Sequence, residues 1–237
     1  MEAMREIGNN CRAMNVQRKS EFFKSLSAAA LADWHGMEHP HTHAQNVVLF
    51  AEREEARGVF VVLEGEVRVS INSSEGKRLS LRIARKGDVL GLSSTLTGHP
   101  YEVTAETLYP AKVAIVGRRE FQGFLSRHPE AHQSVFDELS REMTQTCEQL
   151  RTVALSASAP EKLARLLLEW SENDQSNESC ARVRFSLTHE EIGEFIGASR
   201  ETVTRTLSHF KHRRLVSFRG SMLEIPNRLA LASYANA

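Results

Sequence analysis

The chain has 237 residues, of which 41% are hydrophobic and 25% charged, and its 30 basic and 30 acidic side chains cancel to a formal net charge of zero. This composition is that of a globular protein and excludes an extended, highly charged disordered chain. Three widely spaced cysteines, Cys11, Cys147 and Cys180, argue against a disulfide framework or a cysteine-ligated zinc site. No apolar run is long enough to span a membrane, and the first ten residues lack the apolar core of a secretory signal, so we expect a cytoplasmic protein.

The first half of the chain changes from helical to strand patterning. Residues 1–20 are polar and weakly patterned, and we interpret them as an N-terminal tail. Apolar side chains then recur at helical spacing over residues 21–34. Between residues 47 and 118 the sequence is rich in β-branched side chains and punctuated by glycine, and apolar residues at 67, 69 and 71 alternate with polar ones. This period of two predicts short strands with one buried face, arranged as a barrel or jelly roll over residues 21–128.

After Pro129 the period changes, and one apolar stripe continues along a helix of about 25 residues. A narrow stripe of this kind favours pairing with a second copy, but the same face could instead pack on the preceding barrel. We assign residues 129–156 to this helix and a hinge, and residues 157–237 to a second domain whose first helix is capped by Ser158 and Glu161. The stripe consists of Val135, Leu139, Met143, Cys147, Leu150 and Val153.

The second domain carries the positive charge of the molecule. Between residues 180 and 220 there are eight basic and four acidic side chains, a local net charge of +4. The segment THEE at 188–191 is a capping box that opens a helix, Gly197 can end it, and Ser199 can cap the next helix. Two helices joined by such a turn form a helix-turn-helix, and residues 215–225 read as the two strands of a wing.

The second of these helices has the side chains needed to read DNA. Arg200 lies at its N-terminus, and Glu201 and Arg205 fall opposite its apolar stripe. Arginine can bond guanine O6 and N7 together, and glutamate can accept a hydrogen bond from cytosine N4. The sequence therefore predicts a recognition helix in the major groove, with solvent-facing ion pairs on an ordinary helical hairpin as the plainer alternative.

The segment LTHEEIGEFIGASRETVTRTLSHFKHRRLV closely resembles the DNA-reading segment of the cyclic-AMP receptor protein and FNR superfamily of bacterial transcription regulators. GVFVVLEGEVRVSINSSEGKRLSLRIARKGDVLG is similar to that family's cyclic-nucleotide-binding-like β-roll, so the likeness covers residues 21–230. It implies an α+β fold with an N-terminal β-roll of jelly-roll type, a long dimerisation helix and a C-terminal winged helix-turn-helix. It also implies a homodimer on a palindromic site with TGTGA-like half-sites about 34 Å apart, and RNA polymerase as a partner. By the resemblance, Arg200, Glu201 and Arg205 contact bases, whereas Ser199 and Thr202 contact phosphate.

The stretch GDVLGLSSTLTGHPYEVTAET, residues 87–107, decides which signal we expect. In cyclic-AMP-binding members of the family, the glycine that corresponds to Gly91 is followed by a glutamate that binds the ribose, and an Arg-Ser pair that binds the phosphate comes about ten residues later. In this chain Leu92 follows Gly91, and the later positions are occupied by Tyr101–Glu102 or Glu102–Val103. A carboxylate beside a phosphate is repulsive, and leucine cannot accept a hydrogen bond from a hydroxyl. We therefore expect no usual cyclic AMP binding. We assign an effector pocket to Gly91, Leu92, Ser93, Ser94, Tyr101, Glu102 and Val103 that would hold a neutral or cationic molecule. The alternative is that the hydroxyls only satisfy the turn's own backbone.

Other sensing chemistries fit less well. The iron–sulfur branch needs several N-terminal cysteines, and only Cys11 is present. His39, His41 and His43 alternate along a strand and could meet one metal ion, as in cupins, but an acid at the cupin spacing is absent and an exposed polar strand face explains them more simply, so we assign no metal site. No histidine stands out as a haem ligand. We expect a DNA-binding regulator that is not an enzyme and holds no cofactor, with a constitutive regulator that senses nothing as the alternative.

Overall fold

The computed structural model describes residues 21–171, 181–184, 187–220 and 222–235. The predicted tail at 1–20, Cys11, Cys180 and Ser221 of the predicted wing turn lie outside these residues. Within them, none of the helices has the length and apolar character that a bilayer-spanning helix requires.

Eight antiparallel strands build the N-terminal unit as two four-stranded sheets, ordered β1-β8-β3-β6 and β2-β7-β4-β5. Aromatic and branched side chains such as Phe50, Phe60 and Val62 fill the space between the sheets. Sheet-on-sheet closure of this kind is what the period-two patterning predicts. The strands are β1 (His39–His43), β2 (Val48–Phe50), β3 (Gly58–Glu64), β4 (Val67–Asn72), β5 (Arg78–Ala84), β6 (Val89–Leu90), β7 (Thr104–Thr107) and β8 (Ala111–Gly117).

Short helices close one side of this roll. The single helix expected at 21–34 is instead two, α1 (Glu21–Lys24) and α2 (Ala28–Met37), because the Ser27 hydroxyl accepts a hydrogen bond from the Ala30 amide at 3.1 Å and starts a new helix. Trp34 of α2 is fully buried against Phe121 and Phe124. Those two phenylalanines belong to α4 (Arg118–Arg127), and α3 (Leu92–Thr97) lies between β6 and β7.

A long helix, α5 (Ala131–Leu150), packs against the roll and ends in a π-helical turn at Arg151–Leu155. The amide of Ser156 donates to the Arg151 carbonyl at 3.2 Å, the i to i+5 bond of that turn. The expected apolar stripe divides into two faces. Val135 and Leu139 pack on the roll, whereas Met143 and Leu150 are exposed together with Phe136.

The C-terminal unit is a helical core with a small sheet. Leu163, Leu167, Phe195, Val203 and Phe210 are among its buried side chains. The sheet has the order β10-β11-β9, so β9 adds a strand to the predicted two-stranded wing. The elements are α6 (Ala159–Ser171), β9 (Ala181–Arg184), α7 (His189–Ile196), α8 (Arg200–His212), β10 (Ser217–Arg219), β11 (Met222–Ile225) and α9 (Arg228–Ala235).

The two units contact each other through α7 and strand β5. One consequence is that both faces of β4 are covered at its start, since Val67 and Val69 face the roll interior while Arg68 and Ser70 are also buried. The alternation at 67–72 predicted a single buried face, and this was wrong. The polar face is covered by a helix that lies more than a hundred residues later in the chain.

Candidate nucleic-acid interface and effector cavity

The helix-turn-helix is formed by the local signals that the sequence carries. Thr188 and Glu191 make a complete capping box at the start of α7, and Gly197 ends that helix with a left-handed φ of 62°. The hydroxyl of Ser199 accepts from the Thr202 amide at 3.3 Å and so caps α8. Each of these residues has the role that its side chain predicts, because all of these bonds are local.

Helix α8 buries one face and presents the other to solvent. Val203, Leu207 and Phe210 lie in the core, whereas Arg200, Glu201 and Arg205 are exposed. Among the described salt bridges, none engages Arg200 or Arg205. The two guanidinium groups are therefore available to an external acceptor.

The N-terminus of α8 has the electrostatics of a contact surface. The backbone amide of Glu201 itself, and then the Ser199 hydroxyl, hold the pKa of the Glu201 carboxyl below its usual value, so this group is an acceptor at neutral pH. The hydroxyls of Ser199 and Thr202 lie 3.1 Å apart at the same helix end. Hydroxyls at a helix N-terminus suit an anion such as a backbone phosphate, because the free amides there point outward.

The packing of α7 against α8 fixes the angle between these two helices. Gly193 of α7 faces the Ala198 carbonyl so closely that a Cβ atom would overlap it. His189 bonds Thr204 of α8 through Nδ1 and Oγ1 at 2.8 Å. At the end of α8 and directly after it, Lys211, Arg213 and Arg214 are exposed, in keeping with the local positive charge.

A cavity of about 340 Å³ lies between the roll and α5. All seven residues assigned to the effector pocket line it, namely Gly91, Leu92, Ser93, Ser94, Tyr101, Glu102 and Val103. The structure adds a second wall that the sequence did not indicate, formed by Arg82 of β5 and by Leu139, Glu142, Met143, Gln145 and Thr146 of α5. A cavity of this size with apolar walls and a few polar groups is typical of a small-molecule site.

Leu92 and Tyr101, at positions that the resemblance assigned to cyclic-nucleotide contacts, have structural roles. Leu92, the first residue of α3, is fully buried in the core of the roll. Tyr101 is also buried; its hydroxyl donates to the Gly58 carbonyl at 2.7 Å and accepts from the amides of Arg57 and Gly58. Burial raises the pKa of this phenol. Tyr101 therefore offers the cavity a ring, stacked on Phe50 at 4.1 Å between centroids, and no free hydroxyl.

Several of the hydroxyls in this stretch satisfy nearby groups. Thr95 donates to the Gly91 carbonyl at 2.7 Å, and Thr97 donates to the Ser93 carbonyl at 2.9 Å. Ser93 in turn donates to the Glu102 carboxylate at 3.4 Å. These bonds agree with the alternative interpretation of this stretch, in which its hydroxyls bond to neighbouring groups of the turn instead of a ligand.

The wall on the α5 side is a chain of ion pairs. Arg82 contacts Glu142 at 2.8 Å and Asp88 at 3.4 Å, and Arg141 contacts Asp88 and the fully buried Glu138. Burial raises the pKa of both Glu138 and Glu142, against the lowering effect of the arginines. Arg82 is the basic residue among those that line the cavity, and it is already paired.

Glu102 and Glu142 are the acids that line the cavity. A cavity with two carboxylates and one paired guanidinium is unfavourable for an anion. In the same wall, the side-chain oxygen of Gln145 is buried and has no hydrogen-bond partner among the described residues. An unpaired buried acceptor is costly and favours a ligand that brings a donor.

The three histidines of β1 lie on the edge strand of their sheet and are largely exposed. The rings of His41 and His43 lie 6.4 Å apart, and His39 is 3.9 Å from Glu120. In the part of the chain that the structure describes, no group of three or more His, Cys, Asp or Glu is arranged to hold a metal ion.

Comparison with known proteins agrees with this architecture. A profile of the cyclic nucleotide-binding domain matches residues 40–128, and one of the Crp-like helix-turn-helix domain matches residues 161–234. The chain belongs to the CRP/FNR superfamily of transcription regulators. The fold class predicted from the sequence, a β-roll followed by a helix-turn-helix, is thereby confirmed.

Individual relatives are distant but nearly full-length. The CRP-like cAMP-activated global transcriptional regulator of Mycobacterium tuberculosis is 25% identical over 93% of this chain and 98% of its own. FixK2 from Bradyrhizobium japonicum has a TM-score of 0.75 at 22% identity, covering 84% of this chain and 98% of its own. The c-di-GMP responsive regulator CLP from Xanthomonas campestris has a TM-score of 0.70 at 19% identity, covering 84% and 99%. At these identities the structural matches show the fold.

Proposed function

We propose that this protein is a cytoplasmic, homodimeric regulator, not an enzyme, that binds a palindromic DNA site with TGTGA-like half-sites and works with RNA polymerase. The observation that carries the proposal is the exposed face of α8, with two arginines outside the described salt bridges and an ionised glutamate between them. Arg200 and Arg205 would bond guanines, Glu201 would accept from a cytosine, and Ser199 and Thr202 would hold phosphate.

The exposed face of α5 supports the homodimer. Phe136, Met143 and Leu150 are 66%, 65% and 55% exposed and recur every seven residues. Apolar side chains at this interval form the seam of a two-stranded coiled coil. Exposing such a row of apolar side chains to water is unfavourable for a monomer. Two α5 helices paired along this seam would relate the two α8 helices by a two-fold axis, which a palindromic site matches.

The cavity supports control by a small effector other than cyclic AMP. Relatives differ in their signals, since one is described as cAMP-activated and another as c-di-GMP responsive. Here Glu102 and Glu142 oppose an anionic ligand, and Gln145 offers an unpaired acceptor. The effector would therefore be neutral or cationic, with an apolar body and at least one hydrogen-bond donor.

A constitutive regulator is the second candidate, and the self-satisfied hydroxyls of Thr95 and Thr97 favour it. DNA affinity of the purified apo-protein, measured with and without a metabolite extract, separates the two. Tightening by the extract supports an effector, whereas strong binding by the clean protein with no response supports constitutive activity. Equal affinity for the palindrome and for random duplex would contradict both.

The dimer is tested by Phe136→Glu. A charge in the seam should shift the protein from dimer to monomer, as measured by light scattering during size-exclusion chromatography, because a buried unpaired carboxylate is costly. Thr144→Glu is the matched control, since Thr144 is exposed on the same helix but about 80° around it from Phe136. A dimeric Phe136→Glu variant would contradict the assigned seam.

A further inference from the structure

Arg68 is a buried charge shared between the two units of the molecule. Arg68 lies on β4 of the roll and is 4% exposed. One guanidinium nitrogen contacts Glu106 of the roll at 3.0 Å, and the other contacts Glu194 at 3.1 Å and Glu191 at 3.5 Å, both on α7. Ser80 of β5 adds a hydrogen bond to Glu194 at 3.2 Å. The roll thus provides one carboxylate partner for the Arg68 guanidinium, that of Glu106, and α7 provides two more.

A second group ties the same helix to α5. The amide nitrogen of Gln149, 5% exposed, donates to the Ser80 carbonyl at 2.8 Å and to the Phe195 carbonyl at 2.6 Å. One side chain therefore joins α5, β5 and the end of α7. Between these polar contacts, Ile83 of β5 packs on the core of the C-terminal unit. We call Arg68, Glu194, Ser80 and Gln149 the clamp.

We propose that Arg68 and Gln149 are positioning residues, which hold α7 and with it the recognition helix α8 at a fixed orientation to α5. This inference rests on the proposed dimeric DNA-binding function. The orientation held by the clamp is compatible with DNA contact, because the clamp engages α7 and leaves Arg200, Glu201 and Arg205 of α8 exposed. Two reading helices held rigidly lose little freedom when they enter successive grooves, so the clamp lowers the entropic cost of binding both half-sites.

The clamp also gives the cavity a physical connection to α8. Three of the four clamp residues, all but Glu194 of α7, have a cavity residue nearby on the same element: Val69 follows Arg68 on β4, Arg82 lies two residues after Ser80 on β5, and Thr146 lies three residues before Gln149 on α5. A ligand that shifts β5 against α5 would alter the clamp directly. The effector then acts by changing the population of clamped molecules.

The test compares DNA spacing preference in full-length dimers. Glu194→Ala and Gln149→Leu each remove one half of the clamp from a different element, and Glu148→Leu, an exposed neighbour on α5, is the matched control. The probes are a palindrome with half-sites one turn apart, the same palindrome with two extra base pairs between half-sites, and a single half-site. Hydrogen exchange of α7 and β5 amides reports whether the units have separated.

We expect the wild type and Glu148→Leu to favour the correct spacing. Both clamp variants should lose about tenfold in affinity for that probe, equivalent to about 1.4 kcal/mol, keep their affinity for the single half-site, and exchange α7 amides faster. A purely structural defect would instead lower half-site binding as well. Unchanged spacing preference in both variants would overturn the inference, and so would tighter binding, since that would make the clamp inhibitory. If the wild type itself showed no preference for the palindrome, the proposed function would fail first.

Discussion

At the scale of single residues, the exposed arginines of α8 carry the sequence preference that we propose. Replacing Arg200 or Arg205 by alanine should cost about 1–3 kcal/mol of binding free energy and relax the preference at one base pair, because each removes a bidentate contact to guanine. Competition binding against half-sites substituted one position at a time measures both quantities. Arg219→Ala on the wing, which pairs with Glu224 at 3.2 Å, is the control and should keep the same base preferences. A variant at 200 or 205 with unaltered preference would refute the assignment.

The ion-paired carboxyl of Asp33 leads us to expect that the stability of the roll depends on pH in the acid range. Hydrogen bonds from Arg127, and then from His128, hold the pKa of the Asp33 carboxyl below its ordinary value of 3.8. Since the folded pKa is depressed, the stability it contributes is present above the unfolded pKa and is lost as the pH falls through the lower folded value. We expect Asp33→Asn to lower the melting temperature at neutral pH and to converge with the wild type in strong acid. Glu75→Gln, at an exposed loop position, should track the wild type throughout.

The role of a single residue could be predicted from the sequence where that role depends on contacts with residues close by in the chain. Thr188, Ser199 and Gly197 took their predicted roles because a cap needs only residues three or four positions away. Arg68 gave no such signal. Its partners Glu191 and Glu194 are separated from it by 123 and 126 residues, and nothing in a strand of alternating polarity says which helix will cover its polar side.

At the scale of elements, the close approach of α7 to the turn before α8 depends on a missing side chain. A Cβ at Gly193 would overlap the Ala198 carbonyl, so Gly193→Ala should destabilise the C-terminal unit by about 1–3 kcal/mol despite the better helix propensity of alanine. Gly36 of α2 has nothing within 4 Å of its Cβ position, and Gly36→Ala should be neutral or stabilising by up to about 1 kcal/mol. Denaturant unfolding of both variants makes the comparison, and a stable Gly193→Ala protein would show that α7 can move away from the turn.

Element boundaries were predictable only in part, for physical reasons. The break between α1 and α2 at Ser27 is invisible in the apolar pattern, which continues across it. Strand β9 was missed because four residues carry little periodicity, and its pairing with β11 joins segments about forty residues apart. The wall of the cavity contributed by Glu142, Gln145 and Thr146 was missed because it requires α5 to lie across the roll.

At the scale of the whole molecule, the roll has the family's architecture, and we propose that it lacks the contacts a cyclic nucleotide needs. Leu92 is a core residue and Glu102 is a carboxylate at the cavity. We therefore expect that adding cyclic AMP will not tighten DNA binding, in an anisotropy titration with the palindromic probe. The variant Glu102→Arg is compared with the wild type in the same titration. The double variant with Leu92→Glu is avoided, because a glutamate at the fully buried position 92 would destabilise the roll. Enhancement of the wild type by cyclic AMP would overturn our interpretation of both positions.

The domain division predicted from the sequence, with boundaries near residues 20, 128 and 156, stays a prediction. The two profile matches, at 40–128 and 161–234, leave α5 and the turn after it between them. The segment between the two matches carries the exposed apolar side chains of α5, one wall of the cavity and Gln149 of the clamp.

The wide turn at Arg151–Leu155 has a consequence for how such a molecule can change over generations. A π-helical turn behaves as an α-helix with one surplus residue, and every residue advances a helix by about 100° and 1.5 Å. Because the wide turn accommodates that residue locally, losing one codon there would restore the ordinary ladder and leave the elements downstream close to their present rotation about the helix axis. Over generations this segment could therefore change in length by one residue without re-aiming Arg200, Glu201 and Arg205.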